Sequence, residues 1–147
     1  QKKVTIPSNW KGERITLFLE LPHIETTVWV NQQELGMQNS LCVPHVYDLT
    51  SAVTPGKTCL ITIRIDNRIK EINVGPDSHS ITDQTQGNWN GIVGRIELQA
   101  TPKVHFEDIQ IYPDLNNQKA LVRMNIQSPK EILHFLPKVS IRTLNTK

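Results

Sequence analysis

Apolar residues recur at every second position along much of this 147-residue chain. A period of two, rather than 3.6, is typical of strands that bury one face. In residues 14–21 the apolar face carries Ile15, Leu17, Leu19 and Leu21, which we expect to share a core. The same alternation runs through residues 26–31, 58–66 and 95–100, where Ile96, Leu98 and Ala100 are in phase. Short strands at this spacing, separated by turn residues, predict an all-β sandwich or barrel.

Charge and hydropathy exclude two classes of partner. The formal net charge is only +2, and the Lys and Arg residues are scattered, so no nucleic-acid surface is predicted. No apolar run approaches the roughly 20 residues that cross a bilayer, so no membrane association is predicted either. The chain opens at Gln1 inside a strand-like run, which is typical of a fragment or a processed product.

The two cysteines, Cys42 and Cys59, could form a disulfide in an oxidising compartment. However, Cys59 alternates in phase with Ile61 and Ile63, which predicts a side chain that points into the core. A free cysteine commonly behaves as a small buried hydrophobe. The free, buried thiol is therefore the favoured interpretation, and spacing alone does not fix the pairing.

A domain boundary is predicted near residues 100–103, dividing the chain into residues 1–102 and 103–147. Beyond it, residues 104–112 and 120–126 alternate again, and Val139 and Ile141 begin a third run. Three strands cannot complete a sandwich, which normally needs about seven. The second segment is therefore predicted to be the first part of a β domain, and its open strand edge would invite pairing with another copy of the chain.

The stretch 77–94 is far too long for a hairpin turn between two strand-like runs, and connections of this length are usually functional or disordered. Its apolar anchors and glycines favour an ordered loop. Asn88 and Asn90 offer both donors and acceptors, as hydroxylated ligands require, and the indole of Trp89 could stack on a sugar ring. The alternatives are that Trp89 packs into the sandwich and that the asparagines only fix the turn.

Catalysis and metal binding find little support in these residues. Acid–base catalysis by carboxyl groups commonly uses a pair that lies close together, and Asp77 and Asp83 are the only pair of carboxyl groups in the long stretch. Their separation cannot be read from sequence, so no catalytic residue is predicted. His79 lies near both, but the histidines are dispersed without the paired spacing of a zinc site. No metal and no cofactor are predicted.

Four segments in order give the chain a resemblance to glycoside hydrolase family 2, the β-galactosidase, β-glucuronidase and β-mannosidase group. They cover about residues 2–102 and read Val-Thr-Ile-Pro-Ser-Asn-Trp-Lys-Gly at 4–12, Val-Trp-Val-Asn at 28–31 with Leu-Gly at 35–36, Pro-His-Val-Tyr-Asp-Leu-Thr at 44–50 and Trp-Asn-Gly-Ile-Val-Gly-Arg-Ile at 89–96. The chain departs from the family at Gln32, which replaces a common Gly, and at Gly94, where relatives carry Arg. At the position where some relatives carry an acidic residue that is thought to reach the sugar, this chain has Thr85. The nearest carboxylate is Asp83.

The resemblance implies a galactose-binding-like jelly roll at 1–102, with the first strand before Gln1 missing, and the start of an immunoglobulin-like sandwich at 103–147. The family's catalytic barrel and its two glutamates are not in this sequence. We therefore expect a non-catalytic sugar-binding fragment of a β-galactosidase-like enzyme, inactive alone, with carbohydrate and that barrel as partners. Its substrate-binding residues would be Asp83, Asn88, Trp89 and Asn90. The resemblance also implies a periplasmic or secreted parent. A free-standing carbohydrate-binding module and a purely structural interaction domain remain the alternatives.

Overall fold

The computed structural model describes residues 1–41, 43–68, 90–129, 136–140 and 142. The chain forms two compact units, Gln1–Pro102 and Lys103–Lys147. Within the described residues, no helix is long and apolar enough to span a membrane. The regular structure there is β, apart from a single 3₁₀ turn at Ser8–Trp10. The all-β prediction is therefore confirmed.

The described residues of the first unit form seven strands. They are β1 (Lys2–Thr5), β2 (Arg14–His23), β3 (Glu25–Val30), β4 (Gln33–Asn39), β5 (His45–Asp48), β6 (Thr58–Asp66) and β7 (Gly91–Thr101). Four of them form one sheet in the order β1-β6-β3-β4, and three form a second sheet in the order β5-β2-β7. Every neighbouring pair is antiparallel.

The two sheets bury one common core, as a sandwich does. Ile15, Leu17 and Leu19 enter it from β2, and Val28 and Val30 enter from β3. All five side chains are buried, because alternate residues of a strand point to the same face. The period of two read from the sequence thus places these core residues correctly.

One residue of the predicted core face lies outside it. Leu21 is 39% exposed, whereas its neighbour Pro22 is fully buried. The ladder between β2 and β7 changes register between Leu19 and Leu21, and β2 leaves its strict alternation at the same place. The expectation that Leu21 continues the apolar face is therefore wrong.

Ile96 also departs from its predicted burial. It pairs with the core residue Leu19 across the β2–β7 ladder, yet it is 56% exposed. The reason is an open groove of about 610 Å³ between the β1 and β7 edges of the two sheets. Ile63 and Leu98 line the same groove. Ile96 thus lies on the predicted face of β7, but the groove leaves that part of the face open to solvent.

The thiol of Cys59 is free and buried against the core. Burial raises its pKa, because the apolar surroundings disfavour the thiolate. This agrees with the interpretation of Cys59 as a small buried hydrophobe. Cys42 lies outside the described residues.

In its described part, the second unit contains an antiparallel hairpin of β8 (His105–Asp114) and β9 (Lys119–Gln127). Its cross-strand pairs place Ile109 beside Met124 and Ile111 beside Val122. The predicted third run is not formed in residues 136–140, where Val139 is exposed and outside any strand. Pro137 lacks a backbone N–H and so disfavours a ladder there, and Ile141 lies outside the described residues.

Candidate functional site

Of the four predicted sugar-binding residues, only Asn90 is described. It is exposed and lies immediately before β7. Asp83, Asn88 and Trp89 lie outside the described residues, as do Asp77 and His79. The structure therefore describes the frame that holds both ends of the long connection, residues 67–90.

That frame is the corner at which the chain passes from one sheet to the other. β2 ends at His23 in the three-stranded sheet, and β3 begins at Glu25 in the four-stranded sheet, with only Ile24 between them. The start of β7, Gly91, pairs with His23, and the end of β6, Asp66, pairs with Glu25. Both ends of the long connection are thus fixed at one corner.

The corner itself is buried and tied by backbone bonds. His23 and Ile24 are each 2% exposed, and Glu25 is 9% exposed. The Ile24 N–H donates to the Asp66 carbonyl at 3.3 Å. A corner with this little freedom fixes the positions of Asp66 and Gly91 relative to each other.

An ion pair closes the β6 side of the corner. The Arg68 guanidinium binds Asp66 in a bidentate manner, with Nη2 at 2.6 Å from Oδ2 and Nε at 2.9 Å from Oδ1. The Arg68 backbone N–H also donates to Asp66 Oδ1 at 3.1 Å. These hydrogen bonds raise the pKa of Arg68, since they favour its charged form. The side chain and backbone of Arg68 therefore define how the chain leaves β6.

A second pair lies on the outer face of the four-stranded sheet. Arg64 Nη2 donates to Glu25 Oε1 and to Thr27 Oγ1, each at 3.1 Å. The same guanidinium lies 5.9 Å from the ring centroid of Trp29, within the range of a cation–π contact. The Trp29 indole N–H donates to Glu34 at 3.0 Å. Trp29 is accordingly a packed surface residue, held from two sides.

Beneath this face lies a buried polar chain. Thr26 Oγ1 is 2.6 Å from His45 Nδ1 and 2.7 Å from the Tyr47 hydroxyl, and His45 Nε2 is 3.1 Å from the Ser40 carbonyl. Since a carbonyl only accepts, His45 Nε2 carries the proton and Nδ1 accepts from Thr26. The Tyr47 O–H donates to the Thr26 carbonyl at 2.8 Å. The buried polar chain is internally satisfied and links β3 to β5.

We expect the sandwich to lose stability as the pH falls below about 6.5. Desolvation lowers the pKa of His45 from the ordinary 6.5, so the unfolded chain takes up the proton first. Stability is full above 6.5 and falls through the window between that value and the lowered pKa. Urea unfolding at pH 8 and pH 5.5 measures the loss. His45→Gln removes this contribution and should flatten the dependence, and an unchanged slope in that variant would contradict the assignment.

The described corner supports positioning rather than acid–base chemistry. Glu25 and Asp66 each form an ion pair with an arginine, so both carboxylates are engaged in holding the corner. Across the described ranges, no group of three or more His, Cys, Asp or Glu residues is placed to hold a metal ion. Asn90, immediately before Gly91 at the start of β7, is exposed to solvent.

Sequence reasoning missed the residues that build the corner, namely Glu25, Arg64, Asp66 and Arg68. Asp66 and Arg68 follow the alternating run at spacing two, which is the spacing of an aspartate that accepts from a nearby backbone N–H. That signal could have indicated a fixed exit from β6. The cross-strand pairing of Glu25 with Asp66 has no such local signal.

Comparison with known proteins was made on sequence and on structure. No family model matches the chain. A β-glucuronidase from Paenibacillus borealis is 24% identical over 136 residues, which cover 83% of this chain and 23% of that protein. A β-galactosidase from Priestia megaterium is 26% identical over 113 residues, covering 77% of this chain and 10% of that protein. The chain thus spans about a quarter or less of the curated relatives it matches.

Solved structures give the same result for the fold. A Ruminococcus gnavus β-glucuronidase superposes with a TM-score of 0.70 at 18% identity, over 87% of this chain and 23% of that one. A Faecalibacterium prausnitzii β-glucuronidase superposes with a TM-score of 0.63 at 24% identity, over 84% and 25%. By fold, the chain is an all-β sandwich of the kind found in glycosidases. At low sequence identity, it is related to glycoside hydrolase family 2.

Proposed function

We propose that this chain is a non-catalytic, sugar-binding part of a family 2 glycoside hydrolase. In that role it supports the catalytic barrel and contributes the connection between β6 and β7 to the substrate pocket. The observation that carries the proposal is the corner geometry, in which Gly91 pairs with His23 and Asp66 pairs with Glu25. A long segment held at both ends by one buried corner is suited to present Asn90 and its neighbours to a ligand.

The share of the relatives' length supports the absence of catalysis within the chain. The matched β-glucuronidase is covered over only 23% of its length. The carboxylates at the corner, Glu25 and Asp66, are paired with arginines. The proposed partners are therefore carbohydrate and the barrel of the same parent protein. Self-association through strand edges and a periplasmic or secreted parent stay predictions.

The substrate is a β-glycoside in this proposal, and two sugars compete for it. The resemblance to family 2 led us to expect a β-galactosidase-like parent. The relatives include proteins named β-glucuronidase as well as β-galactosidase, which keeps a glucuronide as the second candidate. Methyl β-galactoside and methyl β-glucuronide, titrated side by side, distinguish the two.

We expect the purified chain to bind one of these sugars weakly and to hydrolyse neither. Trp89→Ala and Asn90→Ala should each weaken binding, by about 1–3 kcal/mol for the loss of a stacking or hydrogen-bonding partner. Isothermal titration with the methyl glycosides measures binding. The release of p-nitrophenol from p-nitrophenyl β-galactoside and p-nitrophenyl β-glucuronide, the two aryl glycosides, measures turnover. Asn9→Ala, at another exposed asparagine, is the matched control and should bind like the parent chain.

Three outcomes would separate the proposal from its alternatives. Turnover of either aryl glycoside would overturn the non-catalytic assignment. Binding that survives both substitutions would move the sugar site away from Asn90. No binding at all would favour the purely structural role, with the long connection in contact with protein.

A further inference from the structure

The ladder between β2 and β7 contains one extra residue close to Asn90. Leu19 pairs with Ile96, and Leu21 pairs with Val93. One residue, Glu20, therefore stands on β2 opposite two residues, Gly94 and Arg95, on β7. This count of two against one defines a β-bulge, which bends the strand and re-aims the side chains beyond it.

The bulge is fixed by the carboxylate of Glu20. Glu20 Oε2 accepts the Arg95 backbone N–H at 2.7 Å and lies 3.3 Å from Arg95 Nε. These two hydrogen bonds lower the pKa of Glu20, so the group remains charged over a wide pH range. Gly94 has φ +93, and a Cβ there would overlap Glu20 Oε2. A residue with a Cβ at position 94 would push this carboxylate away from the Arg95 amide.

The guanidinium of Arg95 is held from the other side as well. Its Cζ lies 5.1 Å from the ring centroid of Phe18, and its Nη1 lies 3.7 Å from Glu97 Oε1. Glu97 thus contacts the side chain of Arg95, whereas Glu20 also binds the backbone amide in the bulge. The two carboxylates differ in this respect, and each provides a control for the other.

The bulge decides which way the end of the long connection points. Past it, the ladder continues through Pro22–Ile92 and His23–Gly91, and Asn90 follows directly. A slip of one residue in such a ladder turns every side chain to the opposite face. We propose that Glu20 is a positioning residue, which locks the bulge at Gly94–Arg95 and thereby sets the direction of Asn90. The consequence for sugar binding rests on the proposed function, but the lock itself does not.

The test compares Glu20→Ala with Glu97→Ala in the ¹⁵N-labelled chain. In Glu20→Ala we expect the Arg95 amide to exchange about tenfold faster, because its acceptor is gone. The resonances of Asn90 and Gly91 should shift, while cooperative thermal unfolding is retained. Glu97→Ala should leave the amides as in the parent chain. Glu20→Gln keeps an acceptor oxygen and should restore most of the protection.

A sugar titration adds a readout that a merely structural role would not move. If Glu20 acts through Asn90, Glu20→Ala should weaken binding several-fold, and the double variant with Asn90→Ala should be no weaker than Asn90→Ala alone. Additive losses would overturn the positioning role, as would unchanged Arg95 exchange and Asn90 resonances in Glu20→Ala. Absence of sugar binding in the parent chain would instead refute the proposed function. The role of Glu20 in fixing the bulge would then be decided by the exchange rate of the Arg95 amide.

Discussion

Replacing Gly94 by alanine is expected to lower the free energy of unfolding by about 1–3 kcal/mol for the backbone strain alone. Gly94 has φ +93, a conformation that residues with a Cβ rarely adopt. In addition, the new methyl group would overlap Glu20 Oε2 and displace it from the Arg95 amide. Urea unfolding measures the loss, and the same samples report whether the Arg95 amide loses protection.

Gly12→Ala provides the matched control. Gly12 has a similar positive φ, +92, but among the described residues no heavy atom beyond its two chain neighbours lies within 4 Å of the position of its Cβ. The difference between the two variants therefore isolates the overlap with Glu20. Adding Glu20→Ala to Gly94→Ala should recover part of that difference. Equal losses at Gly12 and Gly94 would contradict the close approach of the carboxylate.

Thr26→Val is expected to cost about 1–3 kcal/mol of unfolding free energy, although valine has nearly the same shape. Thr26 is fully buried, and its hydroxyl contacts both His45 Nδ1 and the Tyr47 hydroxyl. Valine leaves the buried His45 Nδ1 without its hydrogen-bond donor, and burying such a group unpaired is costly. Chemical denaturation at pH 8, where His45 is neutral, measures the effect.

Thr5→Val tests whether the loss comes from burial. The Thr5 hydroxyl also makes a side-chain hydrogen bond, 2.8 Å to the hydroxyl of Thr58, but that pair is exposed. Water can replace the bond there, so the variant should unfold at nearly the parent denaturant concentration. A loss of unfolding free energy as large as that of Thr26→Val would mean that burial does not make the Thr26 hydrogen bonds more important to stability than an exposed one.

The parts of the fold that depend on local alternation could be predicted from the sequence. Ile15, Leu17 and Leu19 face the core as expected, because side chains in a strand alternate every two residues whichever strands pair with it. Leu21 could not be placed in this way. Leu21 is exposed where the β2–β7 ladder changes register, and the sequence of β2 alone carries no sign of the register with a strand some 70 positions away.

In the candidate site, too, only the features that depend on local sequence could be predicted. The long polar connection and Asn90 were visible as a sequence pattern, since composition and length are local properties. The corner that holds it was not, because Glu25 meets Asp66 only through the pairing of β3 with β6. Likewise, Gly94 was seen as a departure from the family pattern, and its role in making room for Glu20 required the β2–β7 register.

The anchoring of β6 and β7 at one corner has a consequence for how such a protein can diversify. With both stems clamped, the entropic cost of a surface excursion rises only with the logarithm of its length, so doubling it costs about 0.6 kcal/mol. Insertions or deletions between Arg68 and Asn90 would therefore leave the sandwich almost as stable as before. Related proteins could therefore differ in the sequence and length of this connection, and so in ligand specificity, while the sandwich stays the same.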